Sequence, residues 1–272
     1  MTSGNSQVKA GLARALVRTC SLFDAMPLFE EAERVGPLDG ATALDRGLAF
    51  DLVADNASAQ RYYRQALAAG PNDEATRRLA ISLAITGDKR GAANILSPLL
   101  TRQDMAAWRV RAFSLAILGQ ADEAISVING TLPPALATGI APYLRYMPRL
   151  TPAQQAAAAN FGQFPRASEI GHDDPRISRY ATTSMRQSVM EMTYASYTPK
   201  AEFLGRKTFT TKYRNSSTDT QSFSSSTAAD IAAPLRAAQD ARSSANCNSD
   251  EEFRQLFANW HSLDRSTAYV AP

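Results

Sequence analysis

The sequence predicts an all-α protein: a solenoid of about four helix–turn–helix repeats with a terminal capping helix, followed by a largely disordered tail. Three observations carry this. The phrase SLAITGDKRGAANIL from Ser82 returns thirty-two residues later as SLAILGQADEAISVI from Ser114, with its small residues and glycine kept and its charges changed. FEEAERVGPLDGA from Phe29 and YRQALAAGPNDEA from Tyr63 form a second pair, thirty-four residues apart. From Asn215 the text turns to NSSTDTQSFSSSTAAD, polar and poor in large apolar residues. Self-similarity at a period of roughly 20–50 residues is the signature of stacked supersecondary units, each unable to bury its apolar face alone.

The first copy spans about 6–39 with Leu12, Ala13, Leu16, Ala25, Phe29, Ala32 and Pro37, and the second about 40–72 with Gly47, Phe50, Ala59, Tyr63, Ala66 and Pro71. The third covers about 73–104 and the fourth about 105–135, each two residues short and without the closing proline at its usual place. In every copy a small residue on the first helix (Ala13, Gly47, Ala80, Ala112) and one on the second (Ala25, Ala59, Ala92, Ala124) permit close approach of two antiparallel helices. Gly87 and Gly119 fall just past a helix end, where a left-handed residue stops the helix and reverses the chain. The charges that drift between copies are expected to face solvent.

This skeleton resembles the tetratricopeptide repeat (TPR), whose pattern of an aromatic, Leu-Gly and Tyr, then Ala-x3-Phe and Pro runs over about 34 residues. Only the fourth copy has the leading aromatic, Trp108. The resemblance implies that the first helix of each repeat lines a concave groove. It places Arg14, Arg18, Leu48, Leu52, Arg77, Ile81, Ile85, Arg109, Phe113 and Ile117 on the inner wall. Arg77 and Arg109 hold equivalent positions in adjacent repeats, so two guanidinium forks can meet one partner carboxylate. The plain alternative is that both pair with Glu74, Asp73 or Asp104 on the surface. The implied function is a non-enzymatic adaptor that takes a protein or peptide partner, an acidic or C-terminal segment, in this groove. The Asn and Lys of the family's peptide-carboxylate clamp are not matched here.

Beyond Leu132-Pro133-Pro134 the period ends, and TPAQQAAAANFG reads as one more helix. Thr151 is its N-cap, Pro152 its first residue, Gln154 completes a capping box, and Gly162 stops it. It is expected to cover the open end of the stack, as terminal repeats do. The stretch from Ala141 to Ala181 also resembles the segment after the repeats in bacterial cell-envelope proteins in which a linker leads to a SPOR domain, a module that binds peptidoglycan, and with the repeats that resemblance covers about 1–181. No SPOR domain is visible in the chain, so the peptidoglycan link and a periplasmic or envelope location rest on resemblance alone. The organisation expected is a solenoid with capping helices over 1–165, a mostly disordered linker over 166–248 and a short amphipathic helix over 249–265. In that helix Ser249 and Glu252 form a capping box, and Phe253, Leu256, Phe257, Trp260 and Leu263 share one face. Its charged first turn and aromatics make it a candidate to fold back into the groove. It is faintly similar to a segment of bacterial murein peptidases. An accessory or truncated portion of a peptidoglycan-binding or peptidoglycan-cleaving protein is therefore the alternative function.

Other chemistries find little purchase. The 29 basic and 26 acidic residues nearly cancel, and residues 1–135 carry fourteen of each, which is not the one-signed field of a nucleic-acid binder. Cys20 and Cys247 suggest neither a disulfide framework nor a zinc site. His172-Asp173-Asp174 has metal-ligand chemistry but adjacent spacing, and reads as a solvated turn. No Walker A loop, G-x-G-x-x-G or G-x-S-x-G occurs. Catalytic residues, metal and cofactor are accordingly none. No run approaches the roughly 20 apolar residues of a spanning helix, and the first twenty residues lack the pattern of a cleaved leader.

Overall fold

A computed structural model describes residues 2–19, 21–177, 180 and 250–263 of the chain. Among these residues the fold is all helical. Four antiparallel pairs follow one another: α1 (Thr2–Arg18) with α2 (Leu22–Val35), α3 (Gly40–Leu52) with α4 (Asn56–Ala68), α5 (Asp73–Ile85) with α6 (Lys89–Thr101), and α7 (Met105–Ile117) with α8 (Ala121–Thr131). Then come α9 (Pro134–Tyr146), a 3₁₀ turn (Met147–Arg149) and α10 (Pro152–Phe161); α11 (Glu251–Leu263) follows residues 181–249. Most of the expected linker, residues 178–179 and 181–248 with Cys247, lies outside the described residues, as do Cys20 and Ser249, whereas residues 166–177 and 180 are described.

The pairs are made by the small residues. Ala13, Ala25, Ala59, Ala80, Ala112 and Ala124 are fully buried, and Ala92 nearly so. Gly47 is the tightest case: a Cβ there would lie 2.6 Å from Tyr63 and 3.1 Å from the carbonyl of Ala59. Phe29, Tyr63, Leu96 and Ile128, four residues beyond the small position of each second helix, fill the space between neighbouring pairs. Helix starts are fixed by side chains that accept from unpaired N–H groups: Asp39 from Thr42, Asp55 from Ser58, Asn72 from Ala75, Asp88 from Gly91 and Asp104 from Ala107. Gly87 and Gly119 take φ of +83° and +78° between the helices of their pairs, as their spacing predicts. At the matching turn after α3 the residue is Ala54, with φ +62°, and at the α6–α7 connection that lacks a proline Gln103 adopts +56°.

Two expectations are corrected. Helix α10 has the predicted ends, with the Thr151 and Gln154 capping box and a left-handed Gly162, but it does not close the stack. The end is closed by α9, which packs on α8 and α7, whereas α10 turns back across α3, α5 and α7. Its alanines decide this, since Ala153, Ala156, Ala158 and Ala159 are buried and let it sit close to the first helices of three repeats. The drifting charges do not all face solvent either. Lys89, Arg90, Asp122 and Glu123 are exposed, but Asp45, Arg46, Asp51 and Arg109 are buried.

Candidate partner-binding groove

The first helices α1, α3, α5 and α7 form one face, and the expected wall residues lie along it in two different environments. Near the start of the stack the wall is ionic. Asp45 of α3 accepts from Arg14 of α1 at 2.7 Å and Arg78 of α5 at 3.2 Å, with Arg18 at 3.7 Å, so one carboxylate ties three successive repeats together. Arg78 also meets Glu74 at 2.8 Å. Burial pushes the Glu74 carboxyl upward, but Arg78 and Arg77 beside it overcome that and hold it below the ordinary range.

Six residues further along α3, Asp51 is fully buried and accepts three hydrogen bonds, from Asn56 Nδ2 at 2.7 Å, Ser82 Oγ at 2.7 Å and Tyr63 Oη at 2.8 Å. Desolvation raises its pKa from 3.8 to about 7, against the lowering effect of these donors and of Arg78. Tyr63 is in turn pushed well above its usual value, by burial first and then by the Asp51 charge. Leu48, Ile81 and Leu52 are buried beside these groups, and Ala156 of α10 joins the cluster that holds Leu48 and Leu52. Ile85 is half-buried against the same cluster.

At the far end the wall is aromatic, and α11 lies in it. Phe113 of α7 is fully buried, stacked on Trp260 with ring centres 5.6 Å apart and tilted 25°. Phe253 meets Phe113 edge-on at 6.5 Å, Tyr143 at 4.6 Å and Phe164 at 5.3 Å. Phe257 lies 6.0 Å from Phe113 and carries the Arg109 guanidinium 5.7 Å over its ring. Offset and edge-on pairs of this kind add about 0.5–1.5 kcal/mol each beyond their burial. Two glycines complete the seat. A Cβ on Gly139 of α9 would lie 2.9 Å from Leu256, and one on Gly162 would lie 2.4 Å from Phe257. Polar groups fix the register: the Asp250 N–H donates to the carbonyl of Phe164 at 2.8 Å, and Asp250 Oδ1 caps α11 by accepting from the Phe253 N–H at 3.1 Å. The Asp250 side chain also accepts from Tyr143, whose phenol is pushed up to about 12 by burial and by the charges of Asp250 and Glu252.

The sequence expectations can be placed residue by residue. Arg77 bonds Asp104 at 2.6 Å and Glu74 at 3.1 Å, the alternative weighed for it. Arg109, in the equivalent position one repeat on, lies under α11. The two guanidiniums therefore address different neighbours. Arg14 is held by Asp45, Leu48, Ile81 and Phe113 are buried, and Ile117 is 8% exposed at the end of α7. The N-cap of α11 is Asp250, one residue after the expected Ser249. Asp45, Gly139, Tyr143 and Phe164 carry no motif that marks them in advance; only Gly139, a glycine within a helix, signals close approach. His172, Asp173 and Asp174 turn to separate partners: Ile170 O, Thr151 Oγ1 and Arg176. Asp173, half-buried, has its pKa raised by desolvation against that Thr151 bond. No cluster of three metal-type ligands occurs among the described residues, and none of the described helices is long and apolar enough to cross a membrane.

Paired helices stacked in register, with an inner face lined by their first members, define a helical-repeat scaffold. Residues 40–150 match the family model described as tetratrico peptide repeat. Over that segment, which runs from α3 to the 3₁₀ turn, the chain is similar to tetratricopeptide repeats. No curated protein and no solved structure matches the chain significantly.

Proposed function

We propose that the protein is a non-enzymatic adaptor that binds a partner protein on the inner face of its repeats. The observation that supports this reading is the aromatic end of that face, where Phe113, Tyr143, Phe164, Gly139 and Gly162 together accommodate an amphipathic helix. Helix-in-groove recognition works in this way, with anchors at helical spacing entering apolar hollows. Of the expected wall residues, Arg109, Phe113 and Ile117 belong to the aromatic end that takes the partner, and Arg14, Leu48, Arg77 and Ile81 to the ionic end beside it. An acidic partner segment competes with Asp104 and Glu74 for Arg77, so Arg77 contributes selectivity more than affinity. The division into a repeat region to about 165, a linker over 166–248 and a terminal helix over 249–265 assigns all recognition to the first and last of these.

Placement in the bacterial cell envelope is proposed from the resemblance of residues 1–181 alone, and fractionation of the source cells tests it. Retention on isolated peptidoglycan tests the alternative, an accessory role in a peptidoglycan-directed protein. The adaptor reading is tested by affinity capture from extracts of those cells with three full-length proteins. Wild type is compared with Ile85→Glu/Ile117→Glu on the inner face and Lys89→Glu/Arg90→Glu on the exposed start of α6. Partners lost from the inner-face variant and kept by the α6 variant support the reading; the reverse pattern overturns it.

A further inference from the structure

Helix α11 fills a seat that α7, α9 and the turn after α10 build between them. Its three large rings fall at i, i+4 and i+7, Phe253, Phe257 and Trp260, and all three are buried while Glu251, Glu252, Arg254, Gln255, Ala258 and Asn259 stay exposed. The seat is shaped to those rings. Gly162 and Gly139 leave out the Cβ atoms that Phe257 and Leu256 would strike, and Phe113 presents a flat surface to Trp260. Tyr143 and the Phe164 carbonyl read the first turn through Asp250.

The neighbouring helix α10 is attached differently. It follows directly on the 3₁₀ turn, Gln155 donates to the buried carbonyl of Met147 at 3.0 Å, and Gln154 donates to the carbonyls of Glu169 and His172 at 2.6 and 2.9 Å. Helix α11 is joined to the repeats through residues 181–249 and is held chiefly by ring packing.

We propose that α11 is a tethered ligand for this seat, which takes from a partner protein a helix of the same chemistry: an Asp or Glu at the N-cap, then large aromatics at i, i+4 and i+7. The inference rests on the adaptor reading and names its partner class. The tether holds α11 at a high effective concentration, so the seat stays closed until a partner helix arrives at sufficient affinity or density. Binding is thereby graded by competition: a partner must displace Trp260 from Phe113.

The test uses the full chain and a fluorescein-labelled peptide of residues 249–265 read by anisotropy. Wild type should bind it weakly. The variant Phe253→Ala/Phe257→Ala/Trp260→Ala, which empties the seat, should bind at least tenfold more tightly, and adding Gly162→Val to that variant should abolish binding. An emptied variant that keeps its helical circular dichroism and cooperative melt yet binds no peptide overturns the proposal. Hydrogen exchange on wild type decides the matter independently of any variant. Amides of α11 exchanging at least a hundredfold faster than those of α7 support a detachable helix; equal rates make α11 a fixed part of the fold and overturn it. Concentration-dependent dimers that disappear in the emptied variant would assign the seat to a second copy and overturn the partner version. If the peptide fails to bind while captured partners still depend on Ile85 and Ile117, the tether fails and the adaptor reading stands. If those partners depend on Lys89 and Arg90 instead, both fall.

Discussion

The two ends of the inner face close by opposite means. At the start of the stack Asp45 and Asp51 of α3 gather partners from α1, α4 and α5, and the small side chains of α10 lie over Leu48. At the far end Phe113, Tyr143 and Phe164 meet three rings of α11. The ionic end is satisfied by groups of its own repeats, and removing Asp45 or Asp51 strands the partners that each gathers. The aromatic end is satisfied by non-directional burial, at roughly 1.5–3 kcal/mol for each large side chain, which any ring of similar shape can supply. Polar networks thus fix one end of the face, and apolar packing leaves the other exchangeable.

The largest effect should come from Phe113→Ala. It removes the ring on which Trp260 stacks and is expected to cost about 3–5 kcal/mol of stability, the usual range for a buried Phe. Because the chain has two tryptophans, Trp108 and Trp260, the measurement is urea unfolding in a Trp108→Phe background, where the emission of Trp260 should shift to the red before any denaturant is added. An unshifted spectrum would show that the seat does not depend on Phe113.

At the ionic end the matching break is Ala156→Leu, which forces bulk between α10 and Leu48. It should cost about 1–3 kcal/mol by overpacking while Trp260 keeps its buried emission. Coincident loss at both ends would show that the two halves are one unit.

A third experiment concerns Asp51. With its pKa raised from 3.8 to about 7, the folded protein holds a proton there that the unfolded chain has released, so stability falls as pH rises from about 4 to about 7. Asp51→Asn removes the titration and should flatten that slope in urea midpoints taken across the window. Near pH 5 the carboxyl it replaces already carries a proton, so the cost there should come only from re-pairing Asn56, Tyr63 and Ser82 around an amide, about 1–3 kcal/mol. Melting followed by Trp260 emission in the aromatic seat should show the same slope only if the two ends unfold together.

The smallest expected effect is a gain. Ala54 sits at φ +62° in the turn position that Gly87 and Gly119 occupy in the next two pairs. Ala54→Gly relieves a left-handed alanine, offset in part by the freedom glycine adds to the unfolded chain, and should stabilise by about 0.5–1 kcal/mol. Thermal melts resolve that difference, and a loss instead of a gain would show that the Ala54 methyl packs usefully.

Much of the fold was legible because its signals are local. Small residues at Ala13, Gly47, Ala80 and Ala112, and capping residues such as Thr151 with Gln154, act within a turn or two of where they stand. Helix α9 went unread because PALATGIAPYLRY carries Gly139 and Pro142, which argue against a helix when taken alone, and its burial against α8 and α11 overrides them. The course of α10 was illegible for another reason: caps fix where a helix begins and ends, not which neighbour it lies against. The buried Asp45 and Asp51 escaped notice because a charge that varies between copies looks the same in sequence whether it meets water or three donors. The site was half legible. The rings of α11 stood out at their spacing, while Tyr143 and Phe164 became part of a seat only once the chain had folded back on itself.

Gly162 ends α10 and also sits 2.4 Å, measured from where a Cβ would be, from the Phe257 ring. One position therefore answers to two masters, the left-handed stop of one helix and the footprint of another. Asn, the usual tolerated substitute at a left-handed cap, satisfies the first and violates the second. Only a change that also shrinks residue 257 reopens the position. In the vocabulary of sequence change, residues 162 and 257 are a locked pair, and a repertoire of variants randomised at both should return small residues at 162 with the native ring, or broader choices there only with the ring gone.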